Sequence, residues 1–110
     1  MSGRFVLRRS GAKFNFILQA QGNFETLLVS ESYESKAGAE KGINSVKTNA
    51  PIDARYEKRT SVKDQPYFVL KGGNGEIIGK SQMYSSPAAR DKGISAMKAN
   101  APGANTVDET

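Results

Sequence analysis

The chain has 110 residues, which is one domain in size, and half of it would bury too little surface to fold alone. It contains no Cys and no His, which excludes disulfide bonds, thiol and imidazole catalysis and the usual zinc sites. Its net charge of +5 suits contact with a polyanion, although such an excess is also common on ordinary soluble domains.

The first half of the chain predicts three antiparallel strands. Residues 4–9 are rich in β-forming side chains, and Ser10-Gly11 predicts a turn after them. Residues 13–20 alternate between two faces, with Phe and Leu on one of them. After a turn at Gly22-Asn23, residues 25–32 predict a third strand that leads towards a helix.

The helical stretch from Tyr33 to Pro51 occurs twice. It reads YESKAGAEKGINSVKTNAP and returns at residues 84–102 as YSSPAARDKGISAMKANAP, with ten of nineteen positions identical. Ser35 and Ser86 occupy the N-cap position, and Asn-Ala-Pro is expected to end each helix.

The second half repeats the plan of the first. Residues 55–59, 67–71 and 76–81 predict three strands ahead of the second helix. We therefore predict a single duplicated domain over residues 1–102, with repeat 1 at about 3–51 and repeat 2 at about 54–102. Residues 103–110 lack an apolar pattern and predict a disordered tail.

Gly42 and Gly93 lie in the middle of the two predicted helices, where Gly costs about 1 kcal/mol relative to Ala. We expect another backbone, from a strand or the partner helix, to approach closely there. Tyr33 and Tyr84 precede the helices and are expected to pack at the strand-to-helix corner, with each hydroxyl bound to a partner.

The order of these motifs resembles the YegP-like family of small uncharacterised bacterial proteins. The likeness rests on Ser-Glu-Ser-Tyr at 30–33, Asn-Gly-Glu at 74–76, and Lys-Gly-Ile followed by Asn-Ala-Pro in both copies. It implies an α+β fold in which tandem β-β-β-α repeats form one antiparallel sheet, with the two helices exchanged between the halves. It brings no biochemical activity and no catalytic residues.

The segment Gly73–Ser81 looks superficially like a phosphate-binding loop. Position 74 is Asn where the Walker pattern requires Gly, and the segment leads through a strand rather than opening a helix. We therefore interpret it as a β-hairpin. The sequence predicts no cofactor and no metal site.

Lysines recur on the two predicted helices. We interpret Lys41 and Lys92, with Lys47 and Lys98, as the solvated face of each helix.

Arginines form a duplicated basic pattern on the predicted strands. Arg4 and Arg8 share a face of the first strand, and the repeat carries them onto Arg55 and Arg59. Four guanidinium groups on one sheet face, with Tyr56 or Tyr67 as a stacking surface, predict a nucleic-acid or anion site. The alternative is solubilising charge on an exposed strand.

No biochemical function can be derived from these patterns. The leading hypothesis is a non-enzymatic binding or structural module that binds nucleic acid or another polyanion weakly. The alternative is a protein–protein interaction module that uses a sheet edge or the groove between the helices. With no apolar run long enough for a membrane span and no signal-peptide pattern, we expect a cytoplasmic protein without membrane contact, monomeric as an internal pseudo-dimer.

Overall fold

A computed structural model describes residues 2–110, which form seven strands and two α-helices. A short 3-10 turn at Asp53–Arg55 follows the first helix. The strands are β1 (Arg4–Ser10), β2 (Lys13–Gln19), β3 (Thr26–Ser30), β4 (Tyr56–Thr60), β5 (Pro66–Lys71), β6 (Ile77–Lys80) and β7 (Asn105–Asp108), and the helices are α1 (Lys36–Asn49) and α2 (Pro87–Asn100).

All seven strands belong to one sheet in the order β4-β5-β6-β3-β2-β1-β7. The two halves of the chain meet at β3 and β6, where Val29 lies opposite Lys80 and Ser30 opposite Gly79. The duplicated α+β fold with one sheet and two helices is confirmed. The sheet is mixed rather than purely antiparallel, because β7 runs parallel to β1.

The tail after α2 differs from its prediction. Residues 105–108 are not disordered; they form β7, and the Glu109 N–H donates to the Leu7 carbonyl at 2.8 Å. Ala104, just before the strand, is only 2% exposed. The tail carries no apolar alternation, so its order depends on pairing with β1, which is about a hundred residues away in sequence.

Both helices cover the same face of the sheet, and their C-terminal ends cross to the other half of the chain. The Tyr56 hydroxyl donates to the Ala50 carbonyl after α1 at 2.6 Å, and Asn100 Oδ1 in α2 accepts from the Gln21 N–H at 3.1 Å. Helix α1 also packs against β5 and β6, and α2 packs against β3. Both halves therefore contribute to one core, as the sequence predicts. Its largest fully buried side chains are Phe5, Leu7, Phe16, Leu18, Leu28, Val46, Phe68, Leu70 and Met97.

The duplication extends to individual hydrogen bonds. The Ser35 hydroxyl accepts from the Gly38 N–H at 3.0 Å, and the Ser86 hydroxyl caps α2 in the same way, so both predicted N-caps are present. Two buried serines also match: Ser30 Oγ accepts from the Phe16 N–H and Ser81 Oγ from the Phe68 N–H. Each pair satisfies the same polar groups in both repeats.

The mid-helix glycines lie against tyrosine rings. The expectation of a close approach at these positions is confirmed, but the approaching group is a tyrosine side chain and not the backbone of another element. A Cβ atom at Gly42 would lie 2.7 Å from Tyr33 Cζ, and one at Gly93 would lie 2.6 Å from Tyr84 Cζ. Tyr33 also stacks on Phe16, with ring centroids 6.1 Å apart. Glycine thus lets each tyrosine fill the strand-to-helix corner against the helix axis.

Candidate functional site

The candidate site is the face of the sheet opposite the helices, which no element of residues 2–110 covers. Phe5 and Leu7 point into the core, so their neighbours on β1 point to the other side. The same alternation on the paired strands defines what we call the open face. Its side chains include Arg4, Val6, Arg8, Ser10, Lys13, Asn15, Ile17, Gln19, Val29, Glu57, Arg59, Tyr67, Val69, Lys71, Lys80, Asn105 and Val107.

An aliphatic strip runs through the middle of the open face. Val6, Ile17 and Val69 are buried between the longer side chains around them. Val29, at the junction of the two halves, is 40% exposed, and Val107 on β7 is 37% exposed. The strip offers an apolar surface that a flat ligand can contact.

Six of these open-face side chains are cationic, and Glu57 is the only carboxylate in the set. Lys13, at the start of β2, pairs with Glu34 ahead of α1, with its Nζ 3.3 Å from Oε1. Glu57 accepts from Lys71 Nζ at 2.8 Å and forms an ion pair with Arg59. These hydrogen bonds lower the pKa of Glu57, and the one from Lys71 has the largest effect. Arg4, whose Nε donates to Gln19 Oε1 at 2.7 Å, has a neutral partner. The open face therefore keeps a positive balance.

The structure does not bring the four predicted arginines together. Arg4 and Arg8 lie on β1, whereas Arg59 lies on β4 at the opposite end of the sheet, five strand spacings or about 24 Å away. Arg55 lies in the 3-10 turn, where its Nε donates to Asn49 Oδ1 at 2.9 Å. The repeat offset relates residues in sequence and contains no information on strand order, so it could not place them.

The two tyrosines predicted as stacking surfaces lie on different sides of the sheet. Tyr67 is half-buried on the open face, opposite Arg59. Tyr56 points to the helix side and donates to the Ala50 carbonyl, and burial raises its pKa. Sequence reasoning missed Phe24, which is 50% exposed and whose ring centroid lies 4.2 Å from the Arg4 guanidinium carbon. Its signal was a large apolar side chain directly after the Gly-Asn turn.

Three clefts lie on the helix side. One of about 640 Å³ separates β4 from α2, and Ile94 and Tyr56 form part of its wall. A cleft of about 600 Å³ beside Tyr33 and Lys41 has a smaller counterpart of about 320 Å³ beside Tyr84 and Lys92. Sequence reasoning assigned these lysines only to a solvated helix face.

The described residues show no sign of a metal centre. Residues 2–110 contain no group of three or more His, Cys, Asp or Glu side chains arranged to hold a metal ion. Within the same residues, neither helix is long and apolar enough to cross a bilayer.

The comparisons with known proteins identify the family. The profile of a domain of unknown function, DUF1508, matches residues 10–57 and again residues 61–108. A UPF0339 protein of Bordetella pertussis is 54% identical over 110 residues, which cover 100% of this chain and 98% of that protein. The chain belongs to the UPF0339 family. The YegP protein of Escherichia coli K12 is 48% identical and is covered over its full length, which confirms the resemblance inferred from the motifs.

Two solution NMR structures of the family share the fold. The UPF0339 protein of Shewanella oneidensis has a TM-score of 0.91 at 50% identity, covering 98% of this chain and 92% of that one. The E. coli YegP structure, described as a protein of unknown function, has a TM-score of 0.93 at 48% identity and covers 100% and 95% of the two chains. No specific function is established for these relatives.

The family profile also frames the repeat differently from the sequence pattern. Its first match covers β2, β3 and α1 and ends two residues into β4, and its second match covers β5, β6, α2 and β7. In that frame β7 corresponds to residues 54–57, at the turn and the start of β4, and β1 is an additional N-terminal strand. The segment predicted to be a tail is thus part of the second repeat.

Proposed function

We propose that the protein is a cytoplasmic, non-enzymatic module that binds a polyanion on its open face, with single-stranded nucleic acid as the ligand class. The observation that supports it is the unequal charge of the two sides of the sheet. The cytoplasmic location itself stays a prediction.

The helix side compensates many of its charges internally. Lys36 pairs with Asp108, Lys58 Nζ lies 3.2 Å from Asp91 Oδ1, and Lys98 pairs with Asp53. On the open face, the side chains named above include six cations, of which Lys13 pairs with Glu34, and a single carboxylate, Glu57. Phosphate groups therefore gain more from the open face, where fewer ion pairs must be broken.

The apolar and aromatic groups of the open face favour a single strand over a simple anion. Unstacked bases can lie on the aliphatic strip around Val29, and Phe24 and Tyr67 offer rings at its sides. Neutral side chains such as Gln19 can donate to phosphate oxygens or base edges. These groups supply contacts that free phosphate would not use.

The side-chain inventory supports a binding role rather than catalysis. The chain has neither Cys nor His, so a nucleophile activated by imidazole is absent. The carboxylate of Glu57 on the open face is held ionised by two cations, which makes it a poor proton donor.

The test is binding of a short mixed-sequence single-stranded oligonucleotide, measured by fluorescence anisotropy at several salt concentrations. Replacing Arg4, Arg8 and Lys80 by Ala removes three open-face cations. We expect weaker binding. The slope of log K against the logarithm of the salt concentration should become shallower by about 2, since each phosphate contact contributes roughly 0.7 to that slope for a single strand.

The matched control replaces Lys41, Lys63 and Lys92, which are exposed elsewhere, and has the same net charge. It should bind nearly as tightly as the unmodified chain. Equal losses in both variants, or no binding of the unmodified chain at low salt, would contradict the proposed site. Circular dichroism of both variants checks that they remain folded.

A further inference from the structure

The turn between β2 and β3 has the same local geometry as the turn between β5 and β6. In each turn an asparagine Oδ1 accepts from the backbone N–H two residues later at 3.0 Å, the pairs being Asn23 with Glu25 and Asn74 with Glu76. The residue inside each pair has a left-handed backbone, with φ at 55° for Phe24 and 84° for Gly75. The two repeats therefore place different residues at one equivalent position, glycine in the second and phenylalanine in the first.

Phe24 is strained without being part of the core. A left-handed backbone is unfavourable for a bulky side chain, because Cβ approaches the carbonyl oxygen that follows, and glycine at position 75 avoids this cost. The Phe24 side chain is 50% exposed and lies outside the hydrophobic core cluster. Burial thus does not explain why a phenylalanine stands here, and a strained residue that the core does not need indicates a binding role.

The Phe24 ring lies beside Arg4, at the corner of the open face. The guanidinium carbon is 4.2 Å from the ring centroid, so the cation covers one side of the ring. Arg4 uses its Nε on Gln19 Oε1, which leaves its two terminal nitrogens to donate to an anion. The exposed part of the ring and the guanidinium together present a flat apolar surface next to a positive charge.

The positive charge at this corner is not compensated by its neighbours. Gln19 and Asn105 flank Arg4 on the two adjacent strands, and both are neutral. The carboxylate of Glu25, which follows Phe24, lines the cleft of about 320 Å³ on the helix side and accepts from Gln82. An anionic group that approaches the ring from the open face therefore meets the charge of Arg4 first.

We propose that Phe24 and Arg4 form a subsite of the open face for one unpaired base and its phosphate. The base stacks on the exposed part of the Phe24 ring, and the phosphate accepts from the terminal nitrogens of Arg4. This inference rests on the function proposed for the open face. It adds that the ligand is held by a base as well as by phosphates, and that the strain at Phe24 is retained because stacking needs a ring at this position.

The first test is the substitution Phe24→Asn, because asparagine tolerates a left-handed backbone and cannot stack on a base. By fluorescence anisotropy, a short mixed-sequence single-stranded oligonucleotide should bind at least about fivefold more weakly than to the unmodified chain. Inorganic polyphosphate, which has charge but no bases, should bind both proteins equally. The midpoint of unfolding in urea should stay the same or rise, since the strain is relieved.

The matched control is Val62→Asn, which also replaces an exposed apolar side chain by asparagine. Val62 is fully exposed in the loop between β4 and β5, away from the Arg4 corner. The variant has the same net charge as Phe24→Asn. It should bind the oligonucleotide and polyphosphate as the unmodified chain does.

The second test uses the absence of Trp from the chain. Phe24→Trp keeps an aromatic ring at the subsite and makes it the one indole of the protein. This variant should retain its affinity for the oligonucleotide, and stacking of a base should quench its fluorescence. Polyphosphate should leave the fluorescence unchanged.

The outcomes separate this inference from the proposed function. If the unmodified chain binds the oligonucleotide and Phe24→Asn binds it as tightly, the subsite is wrong and the open face keeps its proposed role. If the unmodified chain does not bind at low salt, both are wrong. An equal loss of polyphosphate binding in Phe24→Asn would mean that the ring only positions Arg4. A lower unfolding midpoint would show that the ring supports the fold, which would also overturn the inference.

Discussion

At the scale of single residues, the most specific feature is the contact between a tyrosine ring and a mid-helix glycine, present in both repeats. Tyr84 stacks on Phe68 as Tyr33 stacks on Phe16, with ring centroids 6.3 and 6.1 Å apart. The expected partner for the Tyr84 hydroxyl is absent among residues 2–110, and the oxygen is buried. An unpaired buried hydroxyl is unfavourable, so ring packing must account for the position of Tyr84.

Substituting Gly42 by Ala should destabilise the protein although Ala is the better helix former. The new methyl group would overlap the Tyr33 ring and lie 2.9 Å from Phe16 Cε2, and both rings are held by stacking. Overpacking of a core typically costs about 1–3 kcal/mol, whereas replacing Gly by Ala inside a helix gains about 1 kcal/mol in helix propensity. We expect a net loss of about 1 kcal/mol in the free energy of unfolding, measured in urea.

The control for this substitution is Asn44→Ala, at an exposed position of the same helix. It gains helix propensity without a clash and should be neutral or slightly stabilising. A Gly42→Ala variant that gained as much stability as Asn44→Ala would show that the ring contact does not require glycine.

At the scale of secondary-structure elements, β1, β4 and β7 show how pairing depends on context. In the family frame β7 corresponds to residues 54–57, at the start of β4, yet β4 pairs antiparallel with β5 and β7 pairs parallel with β1. The N-terminal strand β1 takes, beside β2, the place that β4 takes beside β5. Because β1 already occupies the position next to β2, β7 pairs with the outer edge of β1 instead.

Substituting Asp108 by Asn should loosen β7. Hydrogen bonds from Lys36 and Thr110 lower the pKa of Asp108, and the one from Lys36 has the largest effect. The carboxylate is therefore ionised at neutral pH, and replacing it by an amide removes the ion pair to Lys36 in α1. We expect faster hydrogen exchange at the amide of Glu109, which donates to the Leu7 carbonyl.

Exchange in the β4–β5 hairpin, which is remote from β7, serves as the internal control in the same spectra. The comparison substitution Asp64→Asn lies in the loop of that hairpin and should leave the Glu109 amide unaffected. An unchanged exchange rate at Glu109 in Asp108→Asn would mean that backbone pairing alone holds the strand.

At the scale of the whole molecule, neither half has a complete core. The helices end against the opposite half, through Ala50 and Tyr56 at one end and Asn100 and Gln21 at the other. The sheet junction between β3 and β6 comprises only two residue pairs. Helix packing across this junction must therefore hold the halves together more than the strand pairing does.

Residues 1–52 produced alone should not form a stable monomer. Their helix would lack β5, β6 and the Tyr56 hydroxyl, so the fragment is expected to be unfolded or to dimerise by mutual helix exchange. Circular dichroism with light-scattering detection of the eluted species distinguishes these outcomes. Adding residues 53–110 should restore a folded one-to-one complex. A cooperative, monomeric first half would contradict the shared core.

The local features of this protein follow from its amino-acid sequence. The duplicated serine caps and Asn-Ala-Pro ends defined both helices, and the turn residues defined the hairpins, because these signals act over a few residues. It also indicated that the halves share a core, since each is too short to bury enough surface. From Arg4 and Arg8 it predicted two side chains that do lie on the open face.

The neighbours of elements that are distant in sequence follow from the packing of the whole chain. That packing places Arg59 far across the sheet from Arg4 and adds β7 to the edge of β1, and within residues 2–110 no strand pairs with the outer edge of β4. Each of these outcomes depends on strand order and on which edge is already occupied. Residue spacing along the chain gives no information on strand order or on edge occupancy. Pairing between strands far apart in sequence depends on the packing of the whole sheet.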